Sequence, residues 1–183
     1  MTGKGPPSLA YRDLFSRYHD YRRLLVALAC RLREDFTCER VSIFLRASGN
    51  RFLTIVAQGV EGMTIDVKPG EGIAGKALQQ KRSLIVNDPA HDPRSLCRVR
   101  DHYTGFRTRC LLAVPGMDVW GRPLGAFMLL NSVKGRFTNG ERERLERLTW
   151  MIRKIKKIAP RRIRNIWTPQ LEEEILDEEG FQG

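Results

Sequence analysis

Between residues 41 and 57 the hydrophobic period is two: Val41, Ile43 and Leu45 alternate with Ser42, Phe44 and Arg46, the turn Ser48-Gly49-Asn50 follows, and Phe52-Leu53-Thr54-Ile55-Val56-Ala57 returns as a partner strand. The spacing predicts an antiparallel hairpin. A second one follows: residues 109–114 and 124–130 flank the long turn 115–123, which begins and ends on proline. Between the hairpins come a short strand near 64–67, a helix over about 73–81, a strand at 83–86, turns at Asp88-Pro89 and Asp92-Pro93, and a helix around 95–103. Strands joined in this way cannot make a doubly wound parallel sheet, which needs alternating strands and helices.

Helical periodicity is confined to the two ends. Leu14, Tyr18, Tyr21, Leu25, Leu28 and Leu32 step by threes and fours, predicting one helix over about 9–35. Thr138 and Glu141 form an S/T-x-x-E capping box, so a last helix starts near Asn139. Its stripe of Leu145, Leu148, Ile152 and Ile155 runs until Pro160 stops it. Both stripes have seam-like spacing that fits a homodimer, or each covers its own sheet face.

The glycines Gly70, Gly72 and Gly75 spell GxGxxG, and Gly70 with Gly75 and Lys76 spells most of a phosphate-binding loop. Neither nucleotide reading holds. Only seven residues separate Gly75 from Ser83, too few for a crossover helix, and Ala77 stands where a phosphate-binding loop needs a magnesium-ligating hydroxyl. A tight strand-to-helix turn accounts for the glycines.

The net charge is +11, unevenly spread. Residues 141–167 carry ten bases and three acids, and residues 168–183 six acids and no base. The cations of 153–164 interleave with isoleucines and precede Trp167, a pattern that could meet nucleic acid, an acidic membrane surface or a protein. A solvated charged face with the acidic segment 172–179 nearby is the favoured reading, and a nucleic-acid contact the less favoured one. No run is long and apolar enough for a membrane span, and the start lacks a secretory core, which places the protein in the cytoplasm. Cys30, Cys38, Cys97 and Cys110 lack CxxC spacing and read as buried free thiols; with isolated histidines, they give no metal site and no identified cofactor.

GEGIAGKALQQKRSLIVNDPAHDPR, GFRTRCLLAVP and GRPLGAFMLLNSVKGRFTNGERERL resemble, in order and spacing, the GAF domain family over about residues 38–148. The resemblance implies an α+β fold of the GAF/PAS type: a six-stranded antiparallel sheet, N- and C-terminal helices on one face, and a ligand pocket on the other. It further implies a sensory or regulatory module, not an enzyme, that binds a small molecule and signals through its terminal helices or an effector protein; the alternative is a dimerisation or protein-interaction scaffold with a vestigial pocket, and cyclic nucleotide binding is the less favoured reading. The division expected is a flexible start (1–8), a GAF domain with flanking helices (9–158, core 38–148) and a basic then acidic extension (159–183).

The family motif positions are Gly70, Gly72, Gly75, Asn131, Phe137 and Glu141. In members that bind cyclic nucleotides an Asn-Lys, a Phe and an Asp-Glu recur; here Ser132, Glu141 and Arg142 replace the lysine and both acids, so that ion pair cannot form. The reductase branch carries a cysteine in the glycine turn, where this chain has Ala74. A bilin-binding cysteine is often followed by histidine, whereas Cys97 is followed by Arg98, and haem would have only His91 or His102 as ligand. Pocket candidates are Asn87, Asp88, Arg94, Cys97, Arg98, Tyr103, Phe106, Arg107 and Cys110. Arginines there would suit an anionic ligand through bidentate hydrogen bonds; Arg107 and Arg109 read equally as outward strand residues.

Overall fold

A computed structural model describes residues 7–181, the side chains of Pro7, Ser8 and Arg98 excepted. The flexible start expected for residues 1–8 therefore lies largely outside the described residues. Six strands, β1 (Cys38–Arg46), β2 (Phe52–Ala57), β3 (Asp66–Val67), β4 (Leu84–Val86), β5 (Leu111–Met117) and β6 (Pro123–Ser132), form one sheet in the order β3-β2-β1-β6-β5-β4. Every neighbouring pair is antiparallel. The fold is α+β, as the hairpin signals require.

Alternation decides which residues face which layer. On β1, Val41, Ile43 and Leu45 join the larger core, which continues into the helices α1 (Pro7–Arg17), α2 (Tyr21–Asp35), α5 (Asn139–Glu146), α6 (Trp150–Ile158) and α7 (Pro169–Glu179). Phe44 points the other way, into a smaller core with Phe52, Ile73, Leu78, Leu111 and Met128 beneath α3 (Gly72–Gln80). α4 (Cys97–Thr104) lies beside that smaller core.

Two expected helices are each divided. The helix expected over 9–35 breaks after Arg17 because the Asp20 carboxylate accepts the N–H groups of Arg22 (2.7 Å) and Arg23 (3.4 Å), capping a new helix. The last helix begins with its capping box at Thr138 and Glu141, but tightens at 147–149. There the N–H groups of Leu148 and Thr149 reach back only three residues, to Leu145 and Glu146, and the Thr149 hydroxyl donates to the Glu146 carbonyl (2.8 Å). The apolar stripes survive both breaks, since Tyr11, Leu14, Leu25, Leu28, Leu32, Leu145, Leu148, Ile152 and Ile155 all enter the larger core.

The acidic segment is helical and lies against α2, not beside the basic run. Thr168 caps α7, Ile166 N–H donates to the Ile55 carbonyl (3.0 Å), and Ile163, Trp167 and Ile175 join the larger core. Its acids pair with the N-terminal helices: Glu179 with Arg17 (2.7 Å), Glu174 with Arg23 (2.8 Å), Glu178 also with Arg23, and Glu172 with Arg33. No helix of the described residues is long and apolar enough to cross a membrane.

Candidate functional site

The glycine turn is shaped by sterics. Gly70 and Gly72 have φ of 91° and 62°, where a side chain is strained, and a Cβ on Gly75 would collide with the Lys68 carbonyl. The turn sets the start of α3 over the open face of the sheet, and Gly72, Ile73 and Ala74 form one wall of a cavity. Ser42, Leu111, Met128 and Leu130 provide the sheet wall, and α4 with the following loop supplies Cys97, Arg100, Asp101, Thr104, Phe106 and Thr108. Its volume is about 60 Å³, room for a few water-sized groups.

Two guanidinium groups border this cavity, from Arg40 on β1 and Arg100 on α4. Among the described residues neither takes part in an ion pair or a side-chain hydrogen bond. Burial pushes the pKa of both down; Glu39 foremost for Arg40, and Cys97 ahead of Glu71 for Arg100, oppose that shift. Arg40 is held by packing instead of charge: its guanidinium carbon lies 3.9 Å from the centre of the Phe106 ring. Its other neighbour is Gly59, at φ 74°, where any side chain would collide with the guanidinium. Arginine stays charged in proteins, so two half-buried cations with no carboxylate at pairing distance leave the cavity wall with unbalanced positive charge; Asp101, the one acid in the lining, is directed at Thr108 instead.

Asp101 holds the cavity's outer loop in place, accepting the Thr108 N–H and hydroxyl, each at 2.7 Å. Gln58 lines the opposite end and leads away from it. Its side-chain oxygen accepts the Val41 N–H (2.9 Å), next to Arg40, and its amide donates to Glu172 of α7 (3.2 Å). Glu172 also accepts from Arg33 on α2 and from the Trp167 indole. A continuous polar chain therefore joins the cavity wall to both terminal helices.

The sequence candidates scatter around this centre. Cys97 and Phe106 line the cavity together with Gly72, and burial pushes the Cys97 thiol up, favouring the protonated form. Tyr103 is exposed beside a shallow depression that shares Ile65, Arg100 and Thr104 with the cavity. Arg98 belongs to α4, but its side chain lies outside the described ones. The others lie elsewhere. Asn87 bridges the N–H and carbonyl of Phe137, at 2.9 and 3.1 Å; Asp88 meets His91 at the surface; Arg94 is doubly bonded to Asp92. Arg107 is exposed, its carbonyl accepting from Asn131, while Arg109 pairs with Glu39. Cys110 sits across the sheet in the larger core, where its sulfur accepts the Ser132 N–H (3.3 Å).

Three family motif residues act as fasteners. Asn131, buried at φ 55°, accepts from Arg109 N–H (2.7 Å) and donates to Glu39 and to the Arg107 carbonyl (both 2.8 Å). Phe137 fills the larger core, and the Glu141 carboxylate caps α5 by accepting the Thr138 N–H (2.8 Å).

Arg40 and Arg100 were missed, though periodicity held a signal for each. On β1, Arg40 shares the face of Ser42 and Phe44. On α4, Cys97, Arg100, Asp101 and Thr104 fall at i, i+3, i+4 and i+7, one helical face, so a Cys97 in the cavity brings Arg100 rather than Arg98 with it.

Comparison with known proteins agrees with this architecture. A family model described as GAF domain matches residues 20–152. Among solved structures, the nlh2 GAF domain of A. aeolicus, in an inactive state, superposes with a TM-score of 0.67 at 17% identity, covering 82% of this chain and 94% of that one. A free methionine-R-sulfoxide reductase of Neisseria meningitidis, in complex with its substrate, gives 0.65 at 18% identity, covering 86% and 94%. In sequence, a dual 3',5'-cyclic-AMP and -GMP phosphodiesterase 11 of Drosophila melanogaster is 33% identical over 66 residues, 36% of this chain. The match spans only 4% of that phosphodiesterase.

Proposed function

The chain belongs to the GAF domain family, and from that premise we propose that it is a regulatory module whose cavity binds a small anion between Arg40 and Arg100. The observation that carries this reading is the pair of half-buried guanidinium groups facing one cavity with no carboxylate partner among the described residues. A carboxylate or phosphate would complete both by charge-assisted hydrogen bonds. Ile73, Leu111, Met128 and the Phe106 ring would take the apolar remainder of the ligand.

The size of the cavity favours a small organic acid or phosphate over a cyclic nucleotide. Asn131 and Glu141 also have backbone partners that need no ligand. A regulatory role is supported over reductase chemistry by the placement of the thiols. Cys97 alone of the four lines the cavity; Cys30, Cys38 and Cys110 belong to the core across the sheet, and burial pushes Cys30 and Cys38 up to about 12. Four free thiols also suit a reducing, cytoplasmic setting.

The output would run through Gln58 and Glu172 to α2 and α7, and from there to an effector protein. A ligand drawing Arg40 inward changes the strand segment that Gln58 grips, so states that differ at the cavity also differ at the α7 docking contact. Pairing of two copies has less support, because the stripes that would form its seam are buried within the protomer.

A thermal-shift screen of organic acids, nucleotides and cyclic dinucleotides, followed by calorimetry, tests the reading. At least one small anion should raise the melting temperature, and Arg100→Gln should weaken it by about tenfold or more. A folded protein that responds to no anion, or a stabiliser that binds Arg100→Gln equally well, would overturn the proposal.

A further inference from the structure

The β5–β6 turn presents two apolar side chains to water in a fixed conformation. Val119 and Trp120 are 74% and 75% exposed. Beneath them the Asp118 carboxylate accepts the N–H groups of Trp120 and Arg122, both at 2.9 Å, and pairs with the Arg122 guanidinium (2.7 Å). The turn is thus organised from within, and its apolar pair protrudes with Arg122 against one face of the Trp120 ring and the rest open to water.

Beside the turn, across a shallow groove floored by Leu124 and Trp150, lies the outer face of α6, with Arg153, Lys154 and Lys157. From residue 150 to 164 the chain carries seven bases and no acid, and none of the seven forms an ion pair among the described residues. Four of the six acids of α7, Glu172, Glu174, Glu178 and Glu179, pair with Arg33, Arg23 and Arg17 instead of with these bases. Unpaired positive charge and protruding apolar surface are therefore concentrated on one side of the molecule.

We propose that this side is a docking surface for an anionic lipid membrane, with Val119 and Trp120 entering the interface and the cations of α6 meeting the headgroups. Tryptophan suits that depth, where its ring body is apolar and its N–H stays wet. Arginine and lysine can lay their stems along apolar surface and keep their charges among the headgroups. Nucleic acid fits less well. Arg122 already covers one face of the Trp120 ring at 4.8 Å, obstructing base stacking, and a protruding valine adds nothing to a phosphate-tracking groove. The surface lies outside the anion cavity, so the inference does not depend on the proposed ligand.

The test is sedimentation of the full chain with vesicles of phosphatidylcholine, alone or mixed with phosphatidylserine. Binding should require phosphatidylserine and weaken as salt rises. Trp120→Ser should lower affinity at least about tenfold, and should remove most of the tryptophan quenching caused by brominated acyl chains. The Arg153→Gln/Lys157→Gln double variant, which spares Lys154 because its ammonium packs over the Phe15 and Trp150 rings, should lower affinity more, at roughly fivefold for each charge removed. These side chains are exposed, so an unchanged melting temperature serves as the control for folding. The proposal is overturned by a lack of phosphatidylserine-dependent binding, or by equal binding of wild type and both variants. A mobility shift with single-stranded DNA that Trp120→Ser abolishes, in the absence of vesicle binding, would reassign the surface to nucleic acid.

Discussion

Phe127 and Met128 are neighbours on β6, yet they face two different environments. Phe127 is fully buried in the larger core, where helices close the sheet, while Met128 borders the cavity on the other face. The same strands thus supply a closed layer and an incomplete one. On the closed face the buried carboxylate Glu172 is shared by Arg33, Trp167 and Gln58, and the one neutral exception in that core among the described residues is the Tyr11 hydroxyl, which has no hydrogen-bond partner; on the cavity face two charged guanidinium groups are left without a partner. The difference suggests a division of labour in which one face provides stability and the other gives some of it up for recognition.

The sharpest attempt to break this contrast truncates the two neighbours in turn. Phe127→Ala should cost about 3–5 kcal/mol in urea unfolding, because the closed layer cannot collapse around the void. Met128→Ala should cost about 2 kcal/mol or less, since it only widens an existing space. Equal losses would mean that the two layers are equally closed. A smaller effect is expected at the link between them. Glu172→Ala leaves Arg33, the Trp167 indole and the Gln58 amide without their shared acceptor. About 3 kcal/mol should be lost, at the low end for a broken buried pair because Arg33 retains some contact with water. If the polar chain carries the signal, the variant should also separate anion binding from any change at α7, which hydrogen exchange of residues 169–179 would report.

How much of this was legible in the sequence depended on whether a property is periodic. The hairpins, the sheet faces and the capping box at Thr138 repeat at spacings that a reading frame can follow. Breaks in helices were harder, because the stripe of apolar residues passes undisturbed through His19 and Asp20, and only the Asp20 carboxylate, turned back onto the N–H groups of Arg22 and Arg23, divides it. Pocket residues were harder still. Asn87, Asp88 and Arg94 are polar and lie in the stretch of chain that helps to build the pocket side, but their partners, Phe137, His91 and Asp92, could be known only from coordinates. Arg40 looked like any charged residue at the start of a strand. Its difference from Arg109 lies in having Phe106 and Gly59 as neighbours instead of a carboxylate.

The smallest expected change in stability tests the cavity face most directly. Arg100 holds a charge that burial disfavours, and no acid within pairing distance among the described residues offsets it. Methionine has a similar reach, fits beside Ile65 and Leu96, and carries no charge to desolvate. Arg100→Met should therefore unfold within about 1 kcal/mol of the wild type, or be more stable, even though it removes a partly buried side chain. The same variant should lose the stabilisation conferred by whichever anion the thermal screen identifies. Stability retained while binding is lost is the signature of a residue kept for its ligand. A loss of several kcal/mol would instead make Arg100 a structural member of the smaller core, and the two faces of the sheet would no longer differ in kind.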